Sequence, residues 1–509
     1  MSTSATLRDV LTGHVARAPD APLLIAPDNV HAPGLTLSYR NLETQAVLLA
    51  AELRARGCRR GDKIAMFLQN GIRTTTLFLG AMVSGYIIVP LNLLSQRGQL
   101  AYVLEHCDCK VLFTSQAYAD QISEALSLVA RPIEVIEVDG DSLFEGSPSP
   151  TQNAIETIGT NDPALMMYTS GTTGKPKGVL LTHGNLLSAA ESVARWHRLT
   201  NADRVLSSLP LYHINGQVIS TITPFFSGGS IVAPHRFAVS TWWEHVDRYR
   251  CTWINMVPTI IAYLLNAADS ATKYRFPTVR FGRSASAPLP PEHHIAFERT
   301  FGIPVVEAMG MTESASIVFC NPMDPKKRQY GSPGLPCGVE AFVSDSSGNS
   351  LPDGVIGEIR FRGENVMSGY YRDPKRTAEA LTPEGWLCTG DLGYRNTEGF
   401  YFITGRIKEL IIKGGENIAP REIDEALLKH PAVLEAAVVG IPDPNYGQEI
   451  AAAVVLKPRA LCSEEDLRDH CLGELGRYKT PKIIRFLDDL PKGASGKIQR
   501  LNLVGMLAP

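Results

Sequence analysis

Between Tyr168 and Gly178 the chain reads Tyr168-Thr169-Ser170-Gly171-Thr172-Thr173-Gly174-Lys175-Pro176-Lys177-Gly178, eleven residues with four aliphatic hydroxyls, three glycines and two lysines. Glycines let a backbone turn until its N–H groups converge on an anion, while hydroxyls add donors and lysines add positive charge. The combination suits the β- and γ-phosphates of a nucleotide. It is not a Walker A loop, which would need Gly at position 169 and Ser or Thr at 176, where Thr169 and Pro176 stand. Composition alone leaves an ordinary glycine-rich surface turn open as the alternative.

Four further segments carry residue types with chemical potential. Met309-Gly310-Met311-Thr312-Glu313-Ser314 follows a strand-like run, the place where α/β folds bind ligands. There Thr312 offers a hydroxyl to phosphate and Glu313 a hard oxygen to phosphate-bound Mg²⁺, or else Glu313 serves as a helix-cap partner. In Thr389-Gly390-Asp391 the carboxylate can accept two hydrogen bonds from a ribose diol, or can simply stabilise a turn. Gly405-Arg406-Ile407-Lys408-Glu409-Leu410, leading into Lys413-Gly414-Gly415-Glu416-Asn417, has glycine pivots on both sides of a charged stretch. That pattern fits a hinge between moving bodies and equally a static turn before a helix starting at Pro420. In Pro491-Lys492-Gly493-Ala494-Ser495-Gly496-Lys497-Ile498-Gln499-Arg500, Lys497 follows a glycine on a loop. Its long stem can carry an ammonium into another domain's cleft, although a single lysine read alone is a solvated surface charge.

The elements that would position these segments alternate between helical and strand-like. Leu42 to Arg56 reads as a helix, Lys63 to Leu68 as a strand, and Val111 to Thr114 as a strand after a helix ending near His106. Strand-like runs then recur at Leu165–Tyr168, Val205–Ser208, Ser230–Val232, Thr252–Val257, Arg280–Gly282 and Pro304–Glu307, which predicts layered α/β structure. Short strands with Gly and Pro turns from Gly331 to Arg362 predict a smaller β-rich layer. Beyond Gly405, strands at Leu410–Ile412, Val433–Gly440, Ala451–Leu456 and Ile483–Phe486 with helices at Pro420–Lys429 and Ser463–Cys471 make a compact unit able to hold its own core.

The 509 residues include 49 Lys and Arg against 52 Asp and Glu, a formal net charge of -3, which argues against a dedicated nucleic-acid binder. A hydrophobic content of 44% is enough for a large core and excludes disorder as the main state. Met1 to Asp9 shows no secretory pattern, and the apolar stretch Leu77–Leu91 is short of the roughly 20 residues of a membrane span. The stretch reads as buried helix followed by strand, and the expectation is a cytoplasmic protein. Nine scattered cysteines, with Cys107 and Cys109 as a lone C-x-C, suggest neither a disulfide scaffold nor a zinc site. Any metal is expected to arrive bound to phosphates.

Taken together, in this order and at these separations, the five segments resemble the adenylate-forming superfamily of acyl-CoA synthetases, firefly luciferase and peptide-synthetase adenylation domains. The resemblance covers essentially the whole chain. It implies a large N-terminal domain of layered sheets and helices with a β-rich subdomain, residues 1–404, and a small mobile α+β domain, residues 405–509, hinged at Lys408. It implies ATP, Mg²⁺ and CoA as cofactor and co-substrates, with a carboxylic acid first converted to an acyl-adenylate and pyrophosphate, then transferred to a thiol. By the same resemblance Thr169, Ser170, Thr172, Thr173 and Lys177 form the pyrophosphate cradle, Thr312 contacts the α-phosphate and Glu313 holds Mg²⁺. Ser286, Ala287 and Pro288 flank adenine, Asp391 and Arg406 contact ribose, and Lys497 is the adenylation lysine.

CoA is the expected acceptor, because no carrier-protein module is attached and Gly414-Gly415 resembles the stretch of CoA ligases that lies along the pantetheine arm. A stand-alone adenylation enzyme loading a carrier protein or an amine is the second reading. The resemblance puts His213 beside the substrate carboxylate and lines the acyl pocket with Tyr212–Gly216, Trp253–Thr259 and residues around Ser284 and Gly310. Asn215, Arg283 and Ser284 there permit a short or polar acid. Arg283-Ser284-Ala285-Ser286-Ala287-Pro288-Leu289 is closest to the branch of oxalyl-CoA synthetases, although Asn215 stands where those commonly have a second His. Medium- and long-chain fatty acyl ligases share the general motifs and remain the alternative. Homodimers are common in the superfamily.

Overall fold

The computed structural model describes residues 5–27, 34–146, 157–169, 175–492 and 498–508, whose strands form four sheets. In the nine-stranded sheet, Val305–Met309, Phe281–Ser284, Trp253–Met256, Arg204–Leu206, Ser230–Val232 and Pro22–Ala26 run parallel in that spatial order. Shorter antiparallel strands flank them on both edges. The seven-stranded sheet has a parallel body of Pro163–Thr169, Ile87–Pro90, Lys63–Phe67, Cys109–Thr114 and Glu134–Glu137. Lys177–Thr182 and Gly369–Tyr370 extend it antiparallel at one edge.

Helices between the two sheets account for much of the central core. In the helix Tyr39–Ala55, Leu42, Ala46, Leu49, Ala50 and Leu53 fall on one buried stripe. Its start is fixed by a reciprocal cap, Ser38 Oγ accepting from the Asn41 N–H at 3.1 Å while Asn41 Oδ1 accepts from the Ser38 N–H at 3.0 Å. The helix Ile72–Val83 is buried along its whole length and leads into the strand Ile87–Pro90, as the apolar stretch predicts. Its three threonines are tolerated there because each hydroxyl donates to a nearby carbonyl: Thr74 to Gln69, Thr75 to Gly71 and Thr76 to Ile72.

The β-rich layer runs further along the chain than the sequence pattern predicts. Glu340–Ser344, Gly357–Arg362, Leu387–Arg395 and Tyr401–Arg406 form an antiparallel four-stranded sheet, reaching to Arg406 rather than stopping at Arg362. The helix Pro374–Ala380 separates its first pair of strands from its second and hides their relationship in the sequence. This layer is tied to the seven-stranded sheet through Asn185, in the first turn of the helix His183–His197. Its amide donates to the carbonyls of Glu364 and Val366 at 2.7 and 2.9 Å.

The last sheet is made only of residues after position 410: Ile411–Lys413, Glu416–Ile418, Val433–Asp443, Gly447–Leu456 and Ile483–Phe486. Its long hairpin alternates strictly. Ala436, Val438, Ile450, Ala452 and Val454 pack against helices Pro420–Lys429 and Glu464–Leu475. Ala437, Val439, Ala451, Ala453 and Val455 face the helix Arg500–Leu507 on the other side. Among the described residues no helix is long and apolar enough to cross a membrane.

Candidate active site

The ends of strands from three sheets converge on a cleft of about 500 Å³, joined to a smaller cavity of about 290 Å³ through the shared walls of Ser286, Gly310, Met311, Arg406 and Glu409. Thr169 and Lys177 are opposite each other on the antiparallel strands that bracket residues 170–174, and both line the larger cleft. Ser170, Thr172, Thr173 and Lys497 lie outside the described residues. Lys492 and Ile498, on either side of residues 493–497, are bridged to each other and line the smaller cavity.

Thr312 and Glu313 sit on a single 3₁₀ turn, Thr312–Ser314, at the end of the strand Val305–Met309. The Asn365 amide pins this turn by donating to the carbonyls of Ser314 and Ile317, both at 2.8 Å. Gly310 permits the approach: a Cβ there would lie 2.1 Å from the Ser316 carbonyl oxygen and 2.7 Å from the Ile317 nitrogen. Glu313 is buried and accepts a hydrogen bond from the Tyr370 hydroxyl at 2.8 Å. Lys177 Nζ donates to the same hydroxyl at 3.2 Å and stands 4.2 Å from the ring centre. Burial draws the Lys177 ammonium below its ordinary pKa, with the Glu313 charge opposing it. The helix-cap alternative for Glu313 is not what forms, since its carboxylate turns toward Tyr370 and Lys177.

Asp391 and Arg406 are direct partners on adjacent antiparallel strands, Arg406 Nε donating to Asp391 Oδ1 at 2.5 Å. Asp391, along with the nearby charge, holds the Arg406 guanidinium above its ordinary pKa. Thr389-Gly390-Asp391 lies inside the strand Leu387–Arg395 rather than at its end. Gly390 has φ of +70°, and its N–H donates to Glu358 Oε1 at 3.0 Å, so a left-handed kink within the strand aims the carboxylate. Thr389 Oγ1 supports it by accepting from the Asp391 N–H at 2.9 Å.

Ser286, Ala287 and Pro288 line the smaller cavity together with Asp391 and Arg406. Ser286 itself has φ of +76°, a strained value for a residue with a side chain, and its hydroxyl accepts from Asn215 Nδ2 at 3.0 Å. The buried Glu307 also lines this cavity, its carboxyl pushed up to about 7 by desolvation. His213 lines the larger cleft at the start of a wide π-helical segment, Asn215–Ile222. The wide turns are held by hydroxyls reaching five residues back, Thr221 to the Gly216 carbonyl at 2.8 Å and Thr223 to the Val218 carbonyl at 2.9 Å. Behind His213, Asn215 Oδ1 accepts from Asn255 Nδ2 at 3.0 Å and faces Arg283 Nη1 at 3.4 Å.

Of the residues that the sequence places at the acyl pocket and the pantetheine arm, Asn215, Arg283, Ser284, Gly414 and Gly415 line neither cavity. Arg283 pairs in register with Asn255, whereas the next residue, Ser284, is in register with Met256 and Glu307 on the opposite face of the sheet. Gly414 and Gly415 form the tip of the hairpin between Ile411–Lys413 and Glu416–Ile418, beside Tyr446 and Tyr478, and line neither cavity. Glu409, in the charged segment between the glycine pivots, also lines the cleft, as does Tyr370, whose only trace in the sequence is an aromatic pair after Gly369.

The donor set fits a nucleotide with its metal. Among the described residues no three His, Cys, Asp or Glu side chains gather to hold an ion alone. A single buried carboxylate, Glu313, is what a Mg²⁺ sharing phosphate oxygens and water requires.

Two family models match: AMP-binding enzyme over residues 11–371 and AMP-binding enzyme C-terminal domain over residues 422–497. The chain belongs to the AMP-binding enzyme family. It is 51% identical over 502 residues to a sulfoacetate–CoA ligase of Cupriavidus necator, covering 98% of this chain and 97% of that one. It is 35% identical to an oxalate–CoA ligase of Arabidopsis thaliana, covering 87% and 88%. Among solved structures, o-succinylbenzoate CoA synthetase (MenE) from Bacillus subtilis in complex with ATP and magnesium ion superposes with a TM-score of 0.84 at 30% identity, covering 99% of this chain and 100% of that one. The same enzyme in complex with its acyl-adenylate intermediate gives a TM-score of 0.83, at 99% and 98% coverage. The protein described here is an AMP-forming acid–thiol ligase that uses ATP, Mg²⁺ and CoA and proceeds through an acyl-adenylate.

Proposed function

We propose that the acid joined to CoA is short and polar. The observation that carries this is the wall behind His213, where Asn215, Asn255 and Arg283 are all buried. An alkyl chain offers no partner to the buried Nε and Nη2 of Arg283 or Oδ1 of Asn255, whereas a polar acid can supply one, a difference of about 1–3 kcal/mol for each group. The two ligases named above, for sulfoacetate and for oxalate, take acids of this kind. A medium- or long-chain fatty acid, the alternative from sequence, is therefore disfavoured.

In this reading Lys177 and Thr169, with Ser170, Thr172 and Thr173, cradle the leaving pyrophosphate, and Thr312 contacts the α-phosphate. Glu313 holds Mg²⁺. Asp391 and Arg406 receive the ribose hydroxyls, and Ser286, Ala287 and Pro288 flank the adenine. The carboxylate and the polyphosphate are both anionic, so cations in a site shielded from water must offset their repulsion. Lys497 supplies one of them and bridges carboxylate and phosphate oxygens, while His213 guards the carboxylate. Residues 405–509 then swing about Lys408 to present a second face for thioester formation, with Gly414 and Gly415 along the pantetheine arm.

The test is AMP release from a panel of acids, run with and without CoA. Release that requires CoA and favours short polar acids over octanoate and palmitate supports the reading. Preference for the fatty acids would overturn it, and AMP release independent of CoA would favour the stand-alone adenylation enzyme.

A further inference from the structure

The helix Pro374–Ala380 belongs to none of the segments that the sequence brings together, yet Arg376, Glu379 and Ala380 on it line the larger cleft. They do not line the smaller cavity, whereas Ser286, Gly310, Met311, Arg406 and Glu409 line both. With adenosine in the smaller cavity, as proposed above, a triphosphate chain crosses that junction and ends in the larger cleft. Thr169, Lys177 and Glu313 are there, and Arg376 is there with them.

Arg376 is held in a fixed place relative to these residues. Asp373 caps its helix, Oδ1 accepting from the Arg376 N–H at 3.0 Å, and Oδ2 stands 3.2 Å from Arg376 Nη1. The Tyr370 N–H donates to Thr377 Oγ1 at 2.9 Å, and that hydroxyl donates to the Asp373 carbonyl at 2.8 Å. The helix is thereby tied to the strand Gly369–Tyr370, whose phenol joins Lys177 and Glu313. The Arg376 side chain keeps 31% of its surface open, so a ligand in the cleft can reach it.

The charges of the cleft favour an anion at this place. Burial is the first cause of the lowered Lys177 pKa; Glu313 and Asp373 resist it, while Arg376 and Lys408 add to it. Lys177, Arg376 and Lys408 all line the cleft and repel one another there. Most of the carboxylates nearby are committed elsewhere: Glu313 to Tyr370, Glu358 to Arg360 and the Gly390 N–H, Glu409 toward Arg500 at 3.5 Å, and Asp373 to Arg376 itself. Glu379 is exposed, one turn beyond Arg376. A bound polyphosphate turns the repulsion among the cations into attraction.

We infer that Arg376 is a further catalytic residue of the adenylation step, binding the β- and γ-phosphates of ATP alongside Lys177. The inference rests on the nucleotide placement proposed above and adds a residue to it. In that step a carboxylate oxygen forms a bond to the α-phosphorus, and the bond from that phosphorus to the bridging oxygen breaks, its electron pair leaving with pyrophosphate. Negative charge grows on the β-phosphate as the bond breaks. A guanidinium offers paired N–H donors to two phosphate oxygens at once, and it holds the departing group more tightly than the intact chain of phosphates.

Calorimetric titration of the full chain with AMP, MgATP and magnesium pyrophosphate, without any acid, separates the two ends of the nucleotide. Arg376→Ala keeps the backbone N–H that Asp373 caps, and should weaken MgATP and pyrophosphate roughly 10- to 100-fold while leaving AMP unchanged. Arg376→Lys, which keeps the charge without the fork, should lose less. In turnover with an acid the protein accepts, Arg376→Ala should slow acyl-adenylate formation and spare thioester formation from a supplied acyl-adenylate. Lys177→Ala is the control for the site. Loss of pyrophosphate affinity in Lys177→Ala with none in Arg376→Ala, or equal weakening of AMP and MgATP in Arg376→Ala, would overturn the inference and leave the nucleotide placement standing. No loss in either variant would overturn that placement, and the inference with it. If Arg376→Ala fails to fold, judged by its thermal midpoint, Arg376→Gln is read in its place.

Discussion

The Tyr370 hydroxyl donates to Glu313 Oε1 at 2.8 Å, joining residues 57 apart in sequence. The same oxygen accepts from Lys177 Nζ, 193 residues away, at 3.2 Å. One phenol therefore keeps a cation and a carboxylate in the cleft at fixed positions without letting them collapse into a direct pair. Burial and the Glu313 charge both raise the pKa of Tyr370, so it remains a donor throughout the physiological range.

Tyr370→Phe keeps the ring and removes that link. Acid-dependent pyrophosphate release should fall roughly 10- to 100-fold, the worth of a hydrogen bond to a charged group. The thermal midpoint should change little. An unaltered rate at saturating MgATP would show that the phenol does not position Glu313 and Lys177.

Lys497→Ala addresses the two half-reactions separately. Formation of the acyl-adenylate should drop by about 10²–10³-fold, as for the loss of one well-placed charge-stabilising donor. Thioester formation from a supplied acyl-adenylate should be comparatively intact. Equal impairment of both steps would count against a role confined to adenylation.

His197 gives the pH dependence of stability a definite sign. It is buried, stacked at 5.0 Å on Phe281 with Nδ1 2.9 Å from the Val193 carbonyl oxygen, and desolvation followed by the Arg283 charge lowers its pKa to about 3. The unfolded chain, with an ordinary value of 6.5, takes up a proton that the folded chain refuses. Stability is therefore full above the unfolded value and is lost as pH falls from there toward the folded one. His197→Phe preserves the stacking and removes the titration. Its thermal midpoint should decline less than that of wild type between pH 7.5 and about pH 5; parallel declines would assign the acid sensitivity to other groups.

The layered body was legible where apolar runs were continuous. Ser230–Val232 and Ile483–Phe486 form as strands over the lengths the sequence indicates, and Pro420–Lys429 as a helix. Thr389–Asp391 was harder, because a left-handed glycine inside a strand reads in sequence as the end of one. Glu416–Ile418 leaves no strand signal in the sequence, because its polar Glu416-Asn417 pair follows two glycines and shows no alternation. For the site, segments with several special residues announced themselves, as did Thr312-Glu313. Tyr370 did not, since a tyrosine beside another tyrosine reads as sheet packing until the strand Gly369–Tyr370 is seen pairing with Lys177–Thr182. The environment of Arg283 depends on contacts across strands and helices that no local pattern encodes.

Gly310 leaves little room for drift on one side of the cleft. Backbone atoms of Ser316 and Ile317 occupy the space any larger residue would need, and backbone cannot rotate aside as a side chain can. Behind His213, by contrast, the buried wall is made of side chains, with Asn255 and Arg283 both donating to Asn215 Oδ1. A protein of this architecture can be retuned to a different acid by exchanging those three while its floor stays constant, so new substrate ranges in its lineage should be written on that wall first.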